Sequence, residues 1–212
     1  MNRLDLSWCL GSGGKPRFAD LSISWDSISP STRLQRFKSC FVDSRLFTVF
    51  QDVQHIVGLI NEHFSQNTKF HGEELQESIT SIQSRLLLLK DILMDPTDEC
   101  TCLALLAFMT TTNRIAGRKV PYRDLKRRLR NTYQKVWERR LEMRDLMLWV
   151  LLICSISVLE DDPIWLADRW CELGGPEATW DRTRRTLQSI LWIGFLHDDL
   201  GKEAFLKLTS QS

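Results

Sequence analysis

The chain has 212 residues, 43% of them apolar and 26% charged, with a formal net charge of +1. Six prolines and ten glycines exclude collagen-like and long low-complexity classes, and a net charge near zero excludes a polyanion binder working through bulk charge. At this length a globular chain buries about 70% of its unfolded surface, so it can fold without disulfides or metal.

Residues 1–30 hold Gly11-Ser12-Gly13-Gly14, two of the prolines and many serines, with no sustained periodicity. They predict a flexible N-terminal arm ahead of one helical domain over 31–212. Met1–Leu10 carries Asp5 within its apolar stretch and no small-residue cleavage site follows, so it does not read as a signal peptide. From Ser44 the pattern turns helical. Leu46, Phe50, Val53, Val57, Ile60 and Phe64 recur at steps of 4, 3, 4, 3, 4, and Leu75, Ile79, Ile82, Leu86, Leu89 and Leu93 repeat those steps. Each series lays one apolar stripe on a helix, and Asn67 and Gly72 at the joint predict an antiparallel pair.

Asp95-Pro96 predicts the end of the second helix, because the residue before proline avoids the helical region. Cys102–Met109 is almost wholly apolar and predicts the most buried helix. Pro121 opens a helix to about Arg140, with Leu125, Leu129 and Val136 inward. Leu146–Leu159 is a fourteen-residue apolar run. That falls short of the roughly 20 residues that span a bilayer, so it predicts a core helix. Asp162-Pro163 reads as an N-cap and first-turn proline of a short helix that stops at Gly174-Gly175-Pro176. A helix over about Glu177–Phe195 follows, and Asp198 is placed to cap a last one holding Phe205 and Leu208. No period-two alternation occurs. The fold class is all-α, a single domain of about seven to eight helices.

Charge is uneven. Arg114–Arg144 holds twelve Lys/Arg against three Asp/Glu, a balance of +9, and the rest of the chain carries −8. Arg123, Lys126, Arg127 and Arg130 fall in a sector of about 100°. With Arg128 they are the candidate contact residues. Three readings stay open: phosphate contact with nucleic acid, a nuclear-import signal in Lys126-Arg127-Arg128-Leu129-Arg130, and a solvated face paired with the chain's own acids.

No catalytic constellation emerges. Asp161-Asp162 with Asp168 bears a likeness to the aspartate-rich Mg²⁺ sites of all-α diphosphate enzymes, but the third acid comes too late. His55, His63 and His71 are spaced by eight, which spreads them around a helix. His197-Asp198-Asp199 reads as capping rather than an acid–base pair. There is no G-x-S-x-G, P-loop or dinucleotide fingerprint. The six cysteines, Cys9, Cys40, Cys100, Cys102, Cys154 and Cys171, contain no C-x-x-C and predict reduced thiols without a metal centre. Six of the eight tryptophans lie at or beyond Trp137 and predict an aromatic core, with a tryptophan-lined ligand pocket as the alternative. No cofactor is expected.

Three stretches in order resemble a known family. They are Glu99-Cys100-Thr101-Cys102-Leu103-Ala104-Leu105-Leu106-Ala107-Phe108; Leu148-Trp149-Val150-Leu151-Leu152-Ile153 with Pro163-Ile164-Trp165-Leu166; and Trp180 through Leu191-Trp192-Ile193 to His197-Asp198-Asp199-Leu200-Gly201-Lys202. Their order and spacing resemble the helical regulatory domain of fungal zinc-cluster transcription factors over residues 98–208, and loosely over 40–97. The family's six-cysteine DNA-reading cluster is absent from these 212 residues. The resemblance therefore implies a non-enzymatic regulatory domain in the nucleus. It implies partners in the transcription machinery or a full-length regulator, indirect DNA contact and no membrane association, with any small-molecule effector undefined. The alternatives are a nucleic-acid binder using residues 121–140 and, further off, a Mg²⁺-dependent diphosphate enzyme.

Overall fold

The computed structural model describes residues 3–14, 23–28, 35–68, 72–112, 122–136, 143–174 and 178–210. Among these residues the chain is all-helical. The helices are α1 (Arg3–Ser12), α2 (Ser44–Gln66), α3 (Gly72–Leu89), α4 (Pro96–Thr112), α5 (Arg123–Val136), α6 (Arg144–Ser155), α7 (Pro163–Glu172), α8 (Trp180–Ile190) and α9 (Gly194–Ser210), with a 3-10 helix over Gln35–Cys40.

The core is built on α4 and α6. In α4 every residue from Thr97 to Thr111 except Glu99 is buried, and α6 is buried from Leu146 to Ser155 except Leu148. Helices apolar on nearly every side must be covered on every side. Around α4 pack α5, α3, α2 and α6; around α6 pack α7, α8 and α9. The predicted stripes on α2 and α3 point into this core at Leu46, Phe50, Val53, Val57, Ile82, Leu86 and Leu89. Phe64, the last residue of the first stripe, is 63% exposed instead.

Capping explains several boundaries that differ from expectation. Pro96 starts α4 rather than stopping α3, which already ends at Leu89. Asp95 Oδ1 accepts the backbone N–H of Thr97 at 2.8 Å and of Asp98 at 3.2 Å, and proline at the first helical position loses no hydrogen bond. Pro163 does open α7, but Asp162 makes no side-chain cap. Its carboxylate faces Arg130 at 2.8 Å. At the end of α7, Gly174 takes the left-handed conformation, φ 69°. Residues 137–140, expected to extend α5, lie outside the described residues, as do Gly175 and Pro176 of the expected stop and Glu177, expected to open the following helix.

The expected single helix over 177–195 is two. Thr179 caps α8, Leu191 is extended, and α9 restarts at Gly194, so Asp198 lies inside α9 and caps nothing. The broken backbone is satisfied from α2. Gln54 Nε2 donates to Ile190 O at 3.1 Å, Asn61 Nδ2 donates to Trp192 O at 2.8 Å, and Gly194 N–H donates to Asn61 Oδ1 at 3.1 Å. At the N-terminus, residues 3–12 of the predicted arm form α1, which lies on α5 with Cys9 and Leu10 buried. Residues 15–22 and 29–34 lie outside the described set.

Two carboxylates fix α2. Asp98, in the first turn of α4, accepts the N–H of Val42 at 3.1 Å and of Asp43 at 2.6 Å; burial raises its pKa. Asp52 on α2 pairs with Arg85 on α3 at 2.7 Å, both side chains fully buried. A buried charge left without its partner is costly, whereas an apolar pair of similar volume is tolerated. Asp52→Ala should therefore lower unfolding free energy by about 3–5 kcal/mol in urea titration. The double change Asp52→Leu with Arg85→Met should lose less than the single one.

Candidate functional site

The five candidate cations sit on α5, whose inner face is Leu125, Leu129, Thr132, Tyr133 and Val136. They do not form one free basic surface. Arg128 turns toward the α3–α4 joint. Its Nη1 donates to Asp91 at 2.8 Å, and its Nη2 donates to Glu99 at 2.9 Å and to the Lys90 carbonyl. Lys126 Nζ meets Asp161 at 2.6 Å and Arg130 meets Asp162 at 2.8 Å. Arg130 also lies over the Trp165 ring, 5.7 Å from its centroid, and Trp165 packs edge-on against Tyr133. These contacts join α5 to the turn between α6 and α7. Arg127 pairs with Asp124 on its own helix and remains 67% exposed; Arg123 is exposed. The outward face of α5 is thus Arg123, Arg127, Asn131, Gln134 and Lys135, with Arg130 at its edge.

The same contacts account for the aspartate pair. Asp161 and Asp162 face the two α5 cations, while Asp168 is exposed on α7. Among the described residues no three His, Cys, Asp or Glu side chains gather where they could share a metal ion. His55 is half-buried on α2, His63 Nδ1 lies 2.6 Å from Thr68 Oγ1, and His71 is outside the described residues. All six cysteines are free thiols. Burial pushes Cys100 up to about 12 and raises Cys102 and Cys154 as well, so these thiols stay protonated and unreactive.

A second polar arrangement lies where α8 and α9 meet α4 and α6. Asp198 accepts both Nε and Nη2 of Arg184, at 3.0 and 2.6 Å, and the indole N–H of Trp192 at 2.8 Å. Against the cost of partial burial, these bonds hold its carboxyl below the ordinary value. Trp149 Nε1 donates to Leu191 O at 2.7 Å. His197 is fully buried between Phe108 and Trp192, with ring centroids at 5.3 and 4.9 Å. Its Nδ1 accepts the Ile193 N–H at 3.2 Å, which leaves the proton on Nε2 to donate to Thr111 Oγ1 at 2.8 Å. Thr111 Oγ1 in turn donates to Phe108 O. Gly201 is required here, because a Cβ would stand 2.6 Å from Trp192 Cζ2. The tryptophans therefore pack as core: Trp149, Trp170 and Trp192 are fully buried, and Trp170 and Trp180 both lean on Phe205. Trp137 is outside the described residues.

Sequence reasoning placed the cations on one helix but missed Arg184–Asp198 and Asp52–Arg85, for which spacing gives no signal. The His197–Asp198 neighbours point apart, His197 into the core and Asp198 to Arg184, so they form no acid–base pair.

Burial lowers the His197 pKa from its ordinary 6.5 to about 4. The unfolded chain takes up that proton first, so the stability is complete above about 6.5 and is lost as pH falls toward 4. A shift of this size corresponds to roughly 3 kcal/mol at low pH. Urea titrations from pH 7 to pH 4 should show the fall, and His197→Gln should flatten it. On α5, Arg128→Ala should cost about 1–3 kcal/mol by leaving Glu99 without its guanidinium and Asp91 with Lys90 alone, whose Nζ lies 2.9 Å away. Arg123→Ala and Arg127→Ala should stay within about 0.5 kcal/mol. No protein-family model, curated protein or solved structure matches this chain.

Proposed function

We propose that this chain is a non-catalytic regulatory domain of the fungal zinc-cluster transcription-factor type, acting in the nucleus through protein partners. The observation that supports the reading is the spatial unity of the three stretches that carry the resemblance. The first is α4, the second spans α6 and the start of α7, and the third spans α8, the extended joint and α9; α6 touches all the others. The polar members of the third stretch bind one another, with Trp192 and Arg184 on Asp198 and Gly201 beneath Trp192. The motif is thus a specification of architecture, which is what a domain lacking catalytic residues retains. In this reading the α5 cations serve first as internal clamps, and DNA contact is indirect.

The test is a fusion of the full chain to a heterologous DNA-binding domain, read on a reporter gene with basal transcription high enough to register both activation and repression. The expected result is a several-fold change in transcription relative to the DNA-binding domain alone, preserved in Arg123→Ala/Arg127→Ala. Unchanged transcription overturns the proposal. Salt-dependent retention of the unfused chain on DNA that Arg123→Ala/Arg127→Ala abolishes overturns it in favour of direct nucleic-acid binding.

A further inference from the structure

Asp52 is tied to more than Arg85. Its Oδ2 accepts from Arg85 Nη2 at 2.7 Å. Its Oδ1 accepts from Ser27 Oγ at 2.7 Å and from the Ile28 N–H at 3.0 Å. Two of these three donors come from residues 23–28, a non-helical segment lying across α2. The segment also meets α2 through half-buried Trp25, whose ring lies 5.6 Å from the Arg45 guanidinium carbon. Ser24 and Asp26 are joined in a local turn, Ser24 Oγ to Asp26 Oδ2 at 2.9 Å. Ser27 itself is exposed although its hydroxyl reaches a carboxylate of zero exposure. An exposed serine in non-helical backbone lies within reach of an enzyme, while its hydroxyl is bonded to an interior charge.

We propose that Ser27 is a phosphorylation site whose phosphate releases residues 23–28 from Asp52. A protein serine kinase passes the γ-phosphoryl group of a nucleoside triphosphate to Ser27 Oγ. The P–Oγ bond forms, the bond to the β,γ-bridging oxygen breaks, nucleoside diphosphate leaves, and the hydroxyl proton goes to the kinase's base. Ser27 then has no proton to give Asp52 and instead carries about −1.5 to −2 charges. That charge stands beside a carboxylate neutralised by one guanidinium, in surroundings where repulsion is far less screened than in water. Arg85 has two buried N–H groups, Nε and Nη1, without a hydrogen-bond partner. Capture there would strip the phosphate of water and draw it past Asp52, whereas the exposed segment swings out at no such cost. Asp52 keeps Arg85 and takes water at Oδ1. Trp25 leaves Arg45, and the first turns of α2 become an uncovered surface.

The test installs phosphoserine at position 27 of the full chain and follows amide exchange. The Ile28 amide is expected to exchange at least about tenfold faster than in the unmodified protein. In Ser27→Ala, where the Ile28 N–H still reaches Asp52, exchange should change by less than about threefold. Unchanged Ile28 protection in the phosphorylated chain overturns the release mechanism. The modification itself is read by mapping the tryptic peptide 18–33 from the full chain expressed in a eukaryotic host with phosphatases inhibited. Phosphate on Ser27, absent in Ser27→Ala, supports the assignment, and a peptide bearing none at Ser27 overturns it.

Discussion

The burial of α4 on all its faces is the constraint from which the other helices follow. A helix that is apolar in every direction cannot lie at a surface, and its few polar groups must be satisfied without water. They are. Thr101 donates to Thr97 O, Thr110 to Ala107 O and Thr111 to Phe108 O, so these three hydroxyls are absorbed by the helix's own backbone. Asp98 is satisfied by the backbone leading into α2. With α4 closed in this way, each helix around it needs one apolar face and one polar face. That is the pattern of α5, whose buried residues recur at three- and four-residue steps while its outer side is charged.

Charge follows the same geometry. The basic segment is remote in sequence from the acids that balance it, yet folding brings Asp91 and Glu99 to one flank of α5 and Asp161 and Asp162 to the other. Exposed pairs of this kind contribute about 0–1 kcal/mol each, so Lys126–Asp161 orients α5 more than it stabilises it. Arg128 differs because its guanidinium is largely buried and meets two carboxylates and a carbonyl at once. The single-sign face suggested by angular position alone thus divides into flanking clamps and a narrower outward strip.

Helix existence was legible wherever burial imposed a period, as on α2 from Leu46 to Val57 and on α3 from Ile82 to Leu89. Boundaries set by long-range partners were not. Pro96 is a stop to the residue before it and a start to the residue after it, and Asp95 decides between them only by turning its carboxylate onto α4. The break between α8 and α9 falls at Leu191-Trp192-Ile193, residues that continue a helical apolar pattern. Its cause is the pair of amides, Gln54 and Asn61, on a helix more than 130 residues away in sequence. Near the beginning of the chain, α1 buries the adjacent residues Cys9 and Leu10. For the candidate site, the sequence places five cations on one helix but cannot name the acids that engage them.

The polar cluster at the α8–α9 joint decides where function can reside. Both nitrogens of His197, both oxygens of Asp198 and the indole N–H groups of Trp149 and Trp192 are committed inside the protein. Moving His197 or Trp149 would orphan its partner in the core. These groups serve the packing of the joint, and burial holds His197 neutral. In the proposed reading, recognition falls to what the core carries outside. That means the outward strip of α5, whose cations project beyond the clamps, and the segment across α2, which the interior holds through a carboxylate rather than through packing alone. In that reading the chain changes its surface without disturbing its core.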